Sequence, residues 1–425
     1  MSESKVSNPQ TFQSSNPPTL QSSNSLTLQP SNPLTNQPSN PLTLQSSNFV
    51  PVNEPLIGEK EIAYVIDCLK TGWVSSAGKY IERFEKEWAA YCGRKYGVAV
   101  CNGTVALELA LSALELPPGS EVILPSFTIV SCLEAVLRNG LTPVLVDCDP
   151  KTYCMDISDV RRNITPKTSA IMAVHIYGHP VNMDELLDIA EQHKLMIIED
   201  AAEAHGAECL VKGTWRKCGS FGQVSCFSFY ANKNITTGEG GMVLTDDDEI
   251  AERLRSRRNL CFGKEERFRH EDRGWNYRMT NLQAAIGCAQ LENLDRFLAR
   301  KLEMAELYND GLKDLPLQLP HVEPWARSSI WMYAILLKDE VPFDANEFAR
   351  RLRSYGVETR PFFRGLHEQP IYRKMGLFKD LTLPVTEKIY RRGLYLPSGQ
   401  AITNEQIEKV IEAVKKTFER SSGVC

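Results

Sequence analysis

No stretch of the 425-residue chain offers about 18 consecutive apolar residues, so nothing in it reads as a membrane span. No basic block occurs and the net charge is −5, which speaks against nucleic acid as a partner. The 12 cysteines form no CxxC pair. They stand singly, often inside apolar runs as at Cys101, Cys132 and Cys226, and fit reduced thiols in the core of a cytoplasmic protein. A Walker A loop and a GxGxxG turn are both missing, which leaves nucleotide hydrolysis and a dinucleotide fold without support. The N-terminus lacks the basic-then-apolar order of a signal peptide. His175 and His179 are four apart, but Gly178 and Pro180 put them at a strand end and a turn. No metal site is expected there.

What the chain does contain divides in two. From Ser14 an eight-residue unit recurs (SSNPPTLQ, SSNSLTLQ, PSNPLTNQ, PSNPLTLQ), and no charged residue lies between Lys5 and Glu54. Such a segment buries too little apolar surface to offset the entropy of ordering, so residues 1–48 are expected to be a disordered tail. Beyond it, Ile62, Val65, Ile66 and Leu69 predict a helix over 58–69, and a second is expected over 80–91. Short apolar runs then alternate with helical stretches. The expected strands are 98–101, 121–124, 144–146, 170–175, 196–199, 224–229 and 241–244. This alternation argues an α/β fold with a mainly parallel seven-stranded sheet, over residues 49–304. A long helix is expected over 281–302. After residue 305 the pattern becomes α+β, giving a small C-terminal domain over 305–425 that includes a strand at 332–337 and capped helices opening at Asp344 and Thr403.

Candidate chemistry gathers where strands end. Lys233 stands between an apolar run and the glycine-rich turn Gly238-Glu239-Gly240-Gly241, and a desolvated lysine can act as a nucleophilic amine or Schiff-base former. The plain alternative is a solvated loop charge. Asn102-Gly103-Thr104 follows the first strand and opens a helix, a phosphate-binding arrangement or a simple N-cap. Asp200 closes the run Leu195 to Glu199, at the strand end where open α/β sheets bind ligands. There a buried acid can hold a protonated pyridine nitrogen. Ser228, five residues before Lys233, could bond a phosphate. His205 reads as a satisfied helix histidine and Glu239 as a loop charge.

Taken in order, these pieces resemble the DegT-type sugar-nucleotide aminotransferases, pyridoxal 5'-phosphate (PLP) enzymes of fold type I. The likeness runs from Val52 to the last helix. It rests on Gly72-Trp73-Val74-Ser75-Ser76, Asn102-Gly103-Thr104, Glu199-Asp200-Ala201-Ala202, Ser228 through Gly241, and Trp275-Asn276-Tyr277-Arg278-Met279-Thr280-Asn281. The resemblance implies Lys233 as Schiff-base lysine and proton-transfer base, and Asp200 on the pyridine nitrogen. It gives the phosphate to the amides of Thr104 and Val105 with the Ser228 hydroxyl. Asn276 would reach the phosphate of a neighbouring subunit in a homodimer with shared sites, with Arg278 near its substrate. Glu203 takes a place by the cofactor where many members carry glutamine. Ile129 stands where an aromatic often stacks on the ring, with Phe127 the other candidate. Members that are dehydratases carry histidine at the lysine position; with Lys233 in place, the resemblance implies an aminotransferase. Segments around Arg360 and His367 look like the perosamine-forming branch, which makes those two residues substrate candidates. The expected reaction passes nitrogen from L-glutamate to C4 of a nucleotide-linked 4-keto-6-deoxy sugar, GDP-4-keto-6-deoxy-D-mannose first. The product would serve surface polysaccharide such as O-antigen. A UDP- or dTDP-sugar enzyme, or a non-catalytic PLP-binding regulator, are the alternatives.

Because the tail is read as disordered, deleting residues 1–48 is expected to leave the turnover rate within about twofold of the full chain, an allowance equal to well under 1 kcal/mol of barrier. A large loss in a steady-state assay would tie the tail to the site.

Overall fold

The computed structural model describes residues 49–263 and 265–419. The repeat tail assigned to residues 1–48 lies outside the described residues.

All seven runs expected to be strands form one sheet: β1 (Tyr96–Val100), β2 (Glu121–Pro125), β3 (Thr142–Val146), β4 (Thr168–Val174), β5 (Met196–Asp200), and further on Val224–Ser228 and Gly241–Thr245. Between β5 and those last two comes an unexpected hairpin, β6 (Glu208–Val211) and β7 (Thr214–Lys217), so they are β8 and β9. The spatial order is β1-β9-β8-β5-β4-β2-β3. Every neighbouring pair is parallel except those made by β9, which runs antiparallel to both β1 and β8. The hairpin turns at Lys212 and Gly213, with φ of 47° and 78°. Positive φ at both central residues is the turn geometry that matches strand twist.

The strands read as unbroken apolar runs because both faces are covered. Val98 and Val100 of β1, Cys226 of β8 and Val243 of β9 enter one core layer. Their neighbours Ala99, Phe227, Met242 and Leu244 enter the layer on the opposite face. That second layer centres on Trp88 of the helix Lys79–Tyr91, whose ring meets Phe227 and Phe229 edge-on at 5.0 and 5.4 Å. Cysteines serve as small core groups: of those described, only Cys101 is not fully buried, and none is in a disulfide.

One helical expectation changes. The helix expected over 281–302 is two, Asn281–Leu291 and Leu294–Leu312, broken where Asn293 takes ψ of 0°. At the break Glu292 accepts hydrogen bonds from Tyr64, Lys60 and Arg83 of the first two helices. The first helix, Glu59–Thr71, buries Glu61 and Cys68. Its apolar stripe faces outward instead: Ile62 is 55% exposed and Leu69 59%, continuous in sequence with exposed Leu56, Ile57, Trp73 and Val74.

The helix Leu294–Leu312 runs across position 304 and leads to a second, antiparallel sheet. This comprises β10 (Leu317–Gln318), β12 (Tyr333–Leu337), β13 (Arg360–Pro361) and β14 (Gly393–Leu396), while β11 (Ala326–Arg327) joins the β6–β7 hairpin. Both expected caps are present: the Asp344 carboxylate accepts from the Glu347 amide, and Thr403 and Gln406 bond each other's amides. No helix among the described residues is long and apolar enough to cross a membrane.

One buried carboxylate holds the floor under the parallel strands. Glu199, fully buried on β5, accepts from the amides of Gly219 (2.6 Å), Phe221 (2.7 Å) and Gly222 (2.9 Å), and its other partner is His175 Nε2 at 3.1 Å. Burial works to raise its pKa, but His175 and the loop amides outweigh it and hold the group below the usual glutamate range. The stability this contributes is therefore present above the ordinary glutamate pKa and lost as pH falls through the lower folded value. Glu199→Ala is expected to cost about 3 kcal/mol or more, since three buried amides lose their acceptor. Urea unfolding of the full chain at neutral pH measures the loss, and it should shrink in acid.

Candidate functional site

A cavity of about 670 Å³ opens at the carboxyl ends of β1, β5 and β8. Strand ends in an open parallel sheet leave such a crevice because the following loops diverge to opposite faces. Asn102, Gly103, Thr104 and Val105 line it from the turn after β1, Asp200 and Glu203 from the end of β5, and Ser228 and Lys233 from the end of β8. Residues about 130 positions apart in sequence thus meet because their strands share a sheet.

Lys233 is the centre of it. Its side chain is 10% exposed, with Nζ 3.7 Å from Glu203 Oε1 and 3.9 Å from the centre of the Trp331 ring. Burial lowers its pKa below the ordinary lysine value, against the opposing pull of Glu203 and Asp200. Burial likewise pushes Glu203 up to about 7, with Lys233 and the Tyr177 amide opposing. Each group is thus moved toward its neutral form. Glu203 is fixed by the Tyr177 amide, which donates to Oε2 at 2.8 Å from a residue held at φ 52°. A non-glycine residue in that region is costly and is kept only where its surroundings enforce it.

Asp200 is 3% exposed. The Ala202 amide donates to Oδ1 at 3.0 Å, and the Cys132 thiol donates to Oδ2 at 3.0 Å. At the far side, the Asn102 side chain caps the helix Gly103–Leu114 by accepting from the Val105 amide at 3.0 Å. The Val105 amide, expected at a phosphate, thus already has one partner. In the first turn of a helix the remaining unspent N–H groups are those of Gly103 and Thr104. Gly103 could not be another residue without a shift, because a Cβ there would lie 2.7 Å from the Ser228 Cβ. Similarly, a Cβ on Gly241 would lie 2.4 Å from the Asn102 carbonyl oxygen. The two glycines bring the serine hydroxyl and the helix N-terminus together.

Other expected residues are distributed unevenly. Ile129, 42% exposed, lines the cavity; Phe127 is fully buried among Tyr153, Tyr177, Phe362 and Phe363 and does not. His205 is in a turn rather than a helix, its Nε2 2.9 Å from the Ser228 carbonyl oxygen, and burial lowers its pKa to about 3. It stays neutral and pins the end of β8. Asn276 and Arg278 sit beside the cavity, at the surface, where Arg278 Nε donates to Asn276 Oδ1 at 2.8 Å. Only Tyr277 between them lines the cavity. Arg360 is half exposed in an ion pair with Glu358 at 2.5 Å, and lies opposite the cavity-lining Tyr395 in the β13–β14 register. His367 is fully buried, 2.7 Å from Ser126 Oγ, away from the cavity lining. The cavity wall of Trp331, Phe363 and Tyr395 carries no spacing signal and was not foreseeable from sequence.

A carboxylate, a desolvated amine, a hydroxyl and a helix N-terminus around one cavity suit a ligand with a basic nitrogen, a carbonyl and a phosphate. Comparison with known proteins agrees. Residues 55–415 match the model of the DegT/DnrJ/EryC1/StrS aminotransferase family. The chain is 39% identical over 369 residues to GDP-perosamine synthase of Vibrio cholerae, covering 87% of this chain and 99% of that one. It is 41% identical over 371 residues to GDP-perosamine synthase of Caulobacter vibrioides, covering 87% and 98%. Among solved structures, S. venezuelae DesV is similar at 36% identity with a TM-score of 0.78, over 85% of this chain and 94% of that one. The aminotransferase TlmJ from Streptoalloteichus hindustanus matches at 30% identity with a TM-score of 0.81, over 88% and 100%.

Proposed function

The chain belongs to the DegT/DnrJ/EryC1/StrS aminotransferase family, and we propose that within it the enzyme aminates C4 of GDP-4-keto-6-deoxy-D-mannose, with L-glutamate as donor. It is a PLP-dependent sugar aminotransferase. The GDP-linked substrate is supported by the likeness of 39–41% to two GDP-perosamine synthases along nearly their whole length. The product would enter surface polysaccharide.

The observation that carries the site assignment is the convergence of Lys233, Asp200, Ser228 and the Gly103–Thr104 amides on one cavity. PLP supplies an aldehyde that carries nitrogen between donor and acceptor, and a protonated ring that withdraws electrons. Asp200 would hold the ring nitrogen through its buried carboxylate. The Ser228 hydroxyl and the Gly103 and Thr104 amides would hold the phosphate, favoured by the helix dipole. Lys233, its ammonium form disfavoured by burial, would bind the aldehyde and then carry the proton at the reacting carbon; positioned acid–base groups typically contribute about 10²–10⁴-fold. Glu203, 3.7 Å away, would favour the charged form of the freed amine when ionised. The aromatic wall excludes water from the amine.

A homodimer with shared sites belongs to the same proposal. Its support is the outward apolar stripe from Leu56 to Val74 together with the exposed Asn276–Arg278 pair. Apolar surface of this extent in one continuous segment is a mark of association. Asn276 and Arg278 would complete a partner's site. Arg360, next to Tyr395, remains a substrate candidate; His367 is better explained as packing.

Three measurements test the reading. Purified enzyme should show the visible band of a lysine-bound cofactor and Lys233→Ala should lose it; identical spectra without a chromophore would sink the assignment. Pyridoxamine-loaded enzyme offered GDP-, UDP- and dTDP-keto sugars should prefer the GDP sugar, and a preference for another nucleotide would overturn the substrate while leaving the chemistry. Glu203→Gln should remove an ionisation near pH 7 from the pH profile of the half-reaction. Below about 7 Glu203 is protonated and neutral, and above it the anion favours the ammonium form of Lys233. The variant should therefore also lower the pKa of the amine.

A further inference from the structure

We propose that Cys132 is a positioning residue for Asp200, its buried thiol serving as a fixed hydrogen-bond donor that sets how strongly the carboxylate holds the cofactor's ring nitrogen. The inference rests on the PLP reading above and assigns a function to a residue that reads in sequence as core filler.

Cys132 lies in the first turn of the helix Val130–Arg138 and is fully buried. Its Sγ is 3.0 Å from Asp200 Oδ2 and 3.4 Å from Thr128 Oγ1. An ionised carboxylate only accepts, so the thiol proton points to Asp200 and the threonine hydroxyl donates to sulfur. The result is a directed relay, Thr128 to Cys132 to Asp200, that ties the segment after β2 to the end of β5 across intervening β4. Burial and the neighbouring carboxylate push the thiol pKa well up, so it keeps its proton and remains a donor. The charged groups around it are Asp200, Glu203 and Lys233, with the Tyr372 phenol beyond.

With Ala202 on Oδ1 and Cys132 on Oδ2, both oxygens are restrained before any ligand arrives. Held so, the carboxylate would meet the cofactor's ring nitrogen in one orientation and favour its protonated form. Without the donor Asp200 Oδ2 would be unrestrained, and the ring nitrogen would be held less firmly and keep its proton less well. A less cationic ring makes the nitrogen at its aldehyde carbon more basic, so the pH midpoint of the visible band moves up.

The test is a spectrophotometric pH titration of the holoenzyme, with equilibrium dialysis of reconstituted apoenzyme for cofactor affinity. Cys132→Ala should raise the midpoint by about one pH unit and weaken PLP binding roughly tenfold, the worth of one hydrogen bond to a charged group. Cys132→Ser, which keeps a donor, should recover most of both. Cys226→Ala deletes an equally buried thiol on β8, opposite Asp200 in register, for which no bond to that carboxylate is present. It should leave the midpoint in place. If Cys132→Ala does not fold, Thr128→Val removes the upstream hydroxyl and should shift the midpoint the same way by less. Equal midpoints in wild type, Ala and Ser variants, or equal shifts in Cys132→Ala and Cys226→Ala, would overturn the role. A wild-type chain that binds no PLP would instead overturn the functional reading beneath it.

Discussion

The structure depends most on keeping one amine out of water. Lys233 is walled by the Trp331 ring and the Glu203 carboxylate, and each neighbour is itself held in place. Trp331 donates its indole N–H to the Asn232 carbonyl at 2.8 Å, one residue before the lysine. Its own carbonyl accepts from the buried Lys301 at 2.9 Å. Glu203 hangs on the strained Tyr177 amide. A buried ammonium without such partners would simply lose its proton, and a buried lysine with too good a partner would never give it up. A carboxylate at 3.7 Å, itself pushed up to about 7 by burial, lies between those limits.

The same logic distinguishes the two acids at the end of β5. Glu199 and Asp200 are adjacent, but alternation along a strand sends them to opposite faces. Glu199 meets His175 and three loop amides and becomes structural; Asp200 meets one amide and one thiol and keeps capacity for a ligand. An ionised carboxylate can accept about four hydrogen bonds. The count of donors already present, rather than residue type, separates scaffold from site.

How far this could be read from sequence varied with the range of the interaction. The seven strands of the large sheet were legible because their burial on both faces leaves unbroken apolar runs. The β6–β7 hairpin was not, since its strands are four residues long, half exposed, and joined through Lys212-Gly213 instead of a stronger turn pair. That Lys233, Asp200 and Ser228 gather at one cavity was legible because each ends or follows a strand, and strand ends meet at the crevice. Trp331, Phe363 and Tyr395 were not, because they reach the cavity only through packing of the second sheet against the first. The burial of His367 against Ser126 is likewise set by tertiary contact, whereas the bond from the Val105 amide to Asn102 is a local N-cap, the simpler of the two readings that the turn allowed.

The first helix shows a limit of a different kind. Apolar spacing correctly signals a helix but does not say which side of it the monomer covers, because periodicity reports one face that avoids water and not what covers it. Here the monomer buries Glu61, whose carboxylate caps Gly58 and accepts from Gln290, and leaves Ile62, Ile66 and Leu69 outward. A helix that spends its inner face on a polar network and its outer face on aliphatic side chains satisfies its pattern only when something else covers the stripe. The segment after it, Trp73 to Ser75, bonds the N-terminus of the helix Asn281–Leu291, through Asn281 to the Trp73 and Ser75 carbonyls. Asn276 and Arg278 lie just before that helix. In the proposed homodimer, one association would both cover the stripe and bring those two residues to a second cavity.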